Sequence, residues 1–140
     1  MLLGEPAEVV AYAKVGPSGV DEVLAAAPRW RDGRLAVVDC GLALSRRQEY
    51  EVVGTSGHLR VPQAFVPRTG TTTIDLVRNL ETSTLTVPGA DQYQRMVEHF
   101  ADVVRSRVPL RLPPEDAVAN LRVIEAALRS ARTGNAERVV

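Results

Sequence analysis

Apolar residues recur with two different periods along the chain. Between residues 7 and 88 they fall in short runs rich in Val, Thr and Leu. Gly and Pro interrupt these runs roughly every eight to twelve residues, the spacing of successive strands and turns. Strands are predicted near Glu8–Val15, Asp21–Trp30, Arg34–Leu42, Gln48–Gly54, His58–Pro62, Thr72–Arg78 and Ser83–Val87. Arg31-Asp32-Gly33-Arg34 reads as a hairpin turn, because Asp-Gly supplies the positive φ that a tight connection needs. Gly54-Thr55-Ser56-Gly57 and Gly16-Pro17-Ser18-Gly19 read the same way. Strands joined by such turns are antiparallel neighbours in a meander.

From residue 91 the period lengthens to that of a helix. Asp91 with Gln94 forms a capping-box pattern. Behind it, Tyr93, Met96, Val97, Phe100, Val103 and Val104 recur at helical spacing and line one face. This helix ends around Arg107, before Pro109. A second begins at Pro113-Pro114-Glu115-Asp116, with proline in the first turn and acids at the positive end of the dipole. Ala117, Leu121, Ile124, Leu128 and Ala131 form its apolar stripe, Arg129 and Arg132 fall in the last turn, and Gly134 is the stop. Strands first and helices afterwards predict an α+β fold: an open, mostly antiparallel β-sheet meander with two C-terminal amphipathic helices on one face.

If the helices cover one face, the other must be polar or covered from outside. The run Arg34–Leu42 is apolar on both sets of alternate positions, as is Glu22–Ala27. A central strand apolar on both faces in so small a chain predicts a homo-oligomer through the open sheet face.

A length of 140 residues fits one domain, residues 1–140, large enough for its own core. Seventeen basic residues balance seventeen acidic ones, so the basic excess of a nucleic-acid binder is absent. Sixteen of the seventeen are Arg, with Lys14 the sole lysine, a bias that reads as codon usage. Cys40 is the one cysteine, so an intrachain disulfide framework is excluded. The opening Met-Leu-Leu-Gly-Glu-Pro has neither a basic nor a long apolar segment, and no run approaches the ~18 apolar residues of a membrane span. A cytoplasmic chain without a membrane partner is the expectation.

Little chemistry stands out. His58 and His99 are far apart in sequence and lack ligands at metal spacing, so both read as surface histidines, His58 at a strand edge. Cys40, mid-strand among apolar residues, reads as a buried inert thiol. Asp39 beside it is expensive to bury alone and is expected in a salt bridge. Neither G-x-G-x-x-G nor G-x-x-x-x-G-K-[ST] occurs. Residue patterns alone define no catalytic site.

Four segments in order resemble the C-terminal domain of the glucose-fructose oxidoreductase/inositol dehydrogenase (Gfo/Idh/MocA) family. They are Leu3-Gly4-Glu5-Pro6-Ala7-Glu8-Val9; Gly19-Val20-Asp21 with Trp30 through Ala36; Tyr50-Glu51-Val52-Val53-Gly54-Thr55-Ser56-Gly57-His58-Leu59-Arg60-Val61; and Asp91-Gln92-Tyr93 with Phe100-Ala101, then Pro114 through Gly134. The resemblance covers nearly the whole chain. It implies an open antiparallel sheet that forms the oligomer, and a substrate, often a sugar or polyol, held against a Rossmann domain that binds NAD or NADP.

The departures are informative. The family's lysine lies in a Glu-Lys-Pro motif of the Rossmann half, and Gly4-Glu5-Pro6 is not that motif. Its Asp-x-x-x-His pair precedes the Leu-Gly-Glu-Pro segment, and neither histidine here has an Asp four residues earlier. The resemblance therefore implies a chain with no catalytic residue and no cofactor of its own, inactive alone in hydride transfer. Family members contact substrate from the stretch before the E-x-x-G hairpin, which here is Arg46-Arg47-Gln48. Arginines there would suit an acidic substrate such as a uronate or phosphosugar. Tyr93 and Trp30 read as core or helix–sheet contacts.

The primary expectation is thus the substrate-binding and oligomerisation domain of an NAD(P)-dependent sugar or polyol oxidoreductase, without its cofactor domain. The rivals are a stand-alone dimeric scaffold or subunit that complements a separate Rossmann chain, and a small α+β pocket enzyme of the isomerase or dehydratase kind.

Overall fold

A computed structural model describes residues 3–67 and 69–140. In chain order the elements are β1 (Glu8–Val15), β2 (Asp21–Arg29), β3 (Val38–Gly41), β4 (Tyr50–Gly54), β5 (Gly57–Val61), β6 (Thr71–Arg78), β7 (Glu81–Pro88), α1 (Gln92–Val104), α2 (Pro114–Thr133) and β8 (Glu137–Arg138). All the pairings between these strands are antiparallel, as the turn chemistry predicts. The strands divide between two four-stranded sheets, and the chain between two compact units. Among the described residues no helix is long and apolar enough to cross a membrane.

The first unit comprises Met1–Ser45 and Arg111–Val140, with strand order β3-β2-β1-β8. Its core is small-residue packing: Val9, Ala11, Leu24 and Ala26 of the sheet meet Ala126 and Ala127 of α2, with Leu128, Ala131 and Val139 alongside. Short side chains on both surfaces let the helix lie close to the sheet. Ser130 is fully buried in this contact. β8 pairs only with Glu8 and Val9, so the next free N–H of β1, that of Ala11, lies beyond its reach. The Ser130 hydroxyl takes that place, accepting from Ala11 N at 2.9 Å and donating to Asn135 O at 2.5 Å. α2 ends as expected at Gly134, whose φ of 71° is the left-handed cap and whose N–H donates to Ser130 O.

Two expectations are corrected here. The run Arg34–Leu42 is not a central strand. Only Val38–Gly41 joins the ladder, at the sheet's edge, with a single bridge from Leu35 to Arg29. Cys40 is accordingly exposed rather than buried, since an edge strand is flanked on one side only. On α2 the buried positions are Ala126, Ala127 and Ser130, whereas Leu121 and Ile124 of the expected stripe stay exposed. The C-terminal half of the helix is what lies on the sheet.

The face of this sheet opposite α2 carries Val10, Tyr12, Val23, Ala25 and Ala27, with Asp39 level with Ala25. Tyr12 is 69% exposed, and no described element of this unit lies over it.

The second unit is Arg46–Leu110, with strand order β4-β5-β6-β7. Alternation sorts its residues cleanly. Tyr50, Val52, Leu59, Val61, Ile74, Leu76, Leu85 and Val87 share one face; Glu51, Arg60, Asp75 and Thr84 form a row across the other. On that polar face Thr84 Oγ1 donates to Asp75 Oδ1 at 2.8 Å. α1 begins at Asp91, whose carboxylate accepts from the N–H groups of Tyr93 and Gln94. The Gln94 side chain turns instead to Glu98, so only half of the capping box forms. No residue of α1 is buried, and Tyr93 is exposed. Within its own unit the helix therefore forms with its apolar stripe uncovered.

Candidate functional site

The β4–β5 hairpin positions the residues that sequence reasoning singled out. Tyr50 pairs with Val61, and the same register carried outward sets Arg46-Arg47-Gln48-Glu49 beside the segment after β5. Ala64 N donates to Gln48 O at 2.8 Å and clamps the two segments together. Between them lies a cleft of about 420 Å³ lined by Arg46, Arg47, Gln48, Glu49, Pro62 and Gln63. Arg46 and Arg47 are exposed and Gln48 is half-buried. The structure thus brings all three expected residues to one cavity and adds Glu49, Pro62 and Gln63. The signal for the additions was the two-residue turn between Gly54 and Gly57, which dictates which residues face each other.

Glu49 is not free in this cleft. Its Oε2 accepts from Arg60 Nη2 at 2.6 Å and Nε at 3.2 Å. That hydrogen bond, then the charge of Arg60 and more weakly that of Arg47, hold its carboxyl below the usual value of 4.5. A carboxyl lowered on folding contributes stability that is present above its unfolded value and lost as pH falls through its folded one. In a carbon-detected NMR titration Glu49 is expected to titrate below pH 4.5, and Arg60→Met to move it back up toward 4.5. An unchanged titration in the variant would show that Arg60 does not hold it.

The first unit has a larger cleft of about 790 Å³, lined by Glu5–Glu8, Arg29–Arg34 and Arg138–Val140. Several of its charges are already matched: Arg29 with Glu8 at 2.7 Å and Arg34 with Asp32 at 2.8 Å. Arg34 also accounts for a lowered Asp32 carboxyl, chiefly through its backbone N–H. Trp30 is tied at this rim, donating from Nε1 to Gly4 O at 3.1 Å, with the Arg34 guanidinium 5.6 Å from its ring centre. It is a rim residue and not the core contact expected.

The remaining candidates stay apart. His58 lies on an inner strand, not at an edge, with Nε2 3.5 Å from Glu51 Oε1. His99 is on α1. Cys40 belongs to the first unit and both histidines to the second. Among the described residues no group of three His, Cys, Asp or Glu could hold a metal.

A nicotinamide dinucleotide asks for a glycine-rich strand-to-helix turn with free N–H groups for its pyrophosphate. Neither helix start fits. Asp91 occupies the N–H groups of α1 with its own carboxylate, and α2 opens with Pro114, Glu115 and Asp116. Among the described residues, neither helix start forms a dinucleotide cradle.

Residues 1–139 match the model of the oxidoreductase family's C-terminal alpha/beta domain (Gfo/Idh/MocA). The chain belongs to this family. A Gfo/Idh/MocA relative from Haloferax volcanii, a D-xylose 1-dehydrogenase (NADP(+)), is 30% identical over 138 residues, spanning 97% of this chain and 42% of its own length. An uncharacterised oxidoreductase of Rhizobium meliloti is 29% identical over 142 residues, again 42% of its length. The chain therefore spans about two-fifths of these curated relatives. Among solved structures, aldose-aldose oxidoreductase from Caulobacter crescentus complexed with glycerol has a TM-score of 0.79 at 20% identity, over 96% of this chain and 42% of that one. A 3-ketoreductase from Actinomadura kijaniata, in complex with TDP-benzene and NADP, has a TM-score of 0.77 at 22% identity, over 94% and 41%. These two share the Gfo/Idh/MocA C-terminal fold.

Proposed function

We propose that this chain is the substrate-binding and oligomerisation half of an NAD(P)-dependent sugar or polyol oxidoreductase, and that hydride transfer needs a Rossmann domain supplied in cis or in trans. The observation that carries the reading is the match along the whole chain to two-fifths of a D-xylose dehydrogenase. The misfit of both helix starts to a dinucleotide supports the assignment of the cofactor, NAD or NADP, to the other half. Arg46, Arg47 and Gln48 contact the substrate from their cleft. The uncovered apolar faces around Tyr12 and around Val52 and Leu85 support a homo-oligomer built through open sheet. Residues 1–140 act as one domain within it, and the cytoplasm suits its lone Cys40.

An immunoblot of source-cell extract against this domain tests the arrangement. A band at more than twice 15.2 kDa is expected, and that protein, once purified, should reduce NAD(P)+ in the presence of aldoses. A band at 15.2 kDa with no dinucleotide-binding partner on co-purification would favour the stand-alone scaffold and overturn the oxidoreductase reading.

A further inference from the structure

The larger cleft, in the first unit, holds charge that its own lining leaves unmatched. Four arginines and three acidic side chains line it. Arg29 is taken by Glu8 and Arg34 by Asp32. Arg31 and the Arg138 guanidinium have no hydrogen bond or ion pair with any described residue. Two free cations therefore stand against one free acid, Glu5. Apolar surface lies among these charges. The Trp30 indole, fixed by its bond to Gly4 O, lines the cleft together with Pro6 and Val139. At about 790 Å³ the space falls in the range of sites that take whole organic molecules, well beyond a bare inorganic anion. The Arg46–Gln48 cleft is a different one, its lining drawn wholly from the second unit.

We infer that this larger cleft binds a nucleoside monophosphate, with the phosphate on Arg31 and Arg138 and the base against the wall of Trp30, Pro6 and Val139. A phosphate dianion carries the two charges that the free guanidiniums lack. It also meets their paired N–H donors in a geometry that a neutral hydroxyl cannot return. Glu5 accepts hydrogen bonds only, which suits the hydroxyls of the ribose. The planar base is the part that an aromatic and apolar wall holds. A sugar phosphate without a base would satisfy the arginines and leave that wall against water.

Trp30 is the one tryptophan of the chain, so its fluorescence reports this cleft alone. The test titrates the 140-residue chain in turn with AMP, ribose 5-phosphate, adenosine and inorganic phosphate, exciting the indole where the nucleotide does not absorb. AMP is expected to change the Trp30 emission saturably, and each of the other three to bind at least about tenfold more weakly. Arg31→Gln and Arg138→Gln should each weaken AMP binding about tenfold, the effect of losing a charged hydrogen bond. Both side chains are exposed, so an unchanged circular dichroism spectrum reports an intact fold in the variants. Adenosine binding as tightly as AMP, or both variants binding AMP like the parent, would overturn the phosphate site. Ribose 5-phosphate or inorganic phosphate binding as tightly as AMP would overturn the place of the base. No saturable change with any of the four would remove the site altogether.

Discussion

Alanine at Gly57 is expected to destabilise the second unit by ~3 kcal/mol, while alanine at Gly54, on the facing strand of the same hairpin, changes it by less than ~1 kcal/mol. Gly57 has a φ of 152°, and a Cβ built on it would run into the carbonyl oxygen of Val77. That oxygen belongs to the backbone of the neighbouring strand β6, where His58 pairs with Val77, so neither side can yield without opening the ladder. Gly54 has ordinary backbone, and its Cβ would sit 3.6 Å from the nearest atom, the carbonyl oxygen of Gly57. Urea unfolding of the two variants, followed by hydrogen exchange at the β5 amides, checks this. Equal losses at the two positions would contradict the geometry. Because this hairpin also sets the register that forms the Arg46–Gln63 cleft, Gly57→Ala should weaken that cleft as well.

The second large effect concerns the first unit. Ser130→Ala is expected to cost about 1–3 kcal/mol, the penalty for leaving a buried polar backbone group without a partner. Removing the hydroxyl orphans the N–H of Ala11, itself fully buried, and frees the carbonyl of Asn135. Alanine is otherwise well suited to helix interiors, so propensity opposes the loss and cannot cause it. Arg122→Ala, which truncates an exposed side chain of the same helix, is the control and should stay within ~0.5 kcal/mol. Chemical denaturation of the pair decides it. A Ser130 variant as stable as the parent would mean that water replaces the hydroxyl.

Much of the fold was legible because local chemistry dictates it. Asp91 and Gly134 mark helix ends through bonds made within a few residues, and Pro114 marks one through its fixed φ. The Asp32-Gly33 and Gly54–Gly57 turns likewise announce their hairpins. What escaped depends on distant partners. The two-residue β8 has no period to detect, and it exists because the chain after α2 returns to β1. Cys40 looked buried because an apolar run reads the same in a central and an edge strand; only strand order tells them apart. The role of Ser130 was hidden for the same reason, since its partner at Ala11 lies 119 residues away. In the cleft, Arg46, Arg47 and Gln48 were reached through family resemblance, whereas Pro62 and Gln63 follow from hairpin register once the turn is placed.

The bare stripe of α1 carries a thermodynamic consequence. A 13-residue helix is too short to be firmly stable in water by its own hydrogen bonds, and most helices gain their stability from the surface they cover. Here that surface, from Tyr93 through Phe100 to Val104, meets solvent. Its Asp91 cap favours the first turn but adds nothing to the last. Ordering of this helix is therefore linked to whatever covers it. A covering partner spends part of its contact energy on fixing the helix, so its association would be weaker than its buried area suggests and steeper in its dependence on temperature.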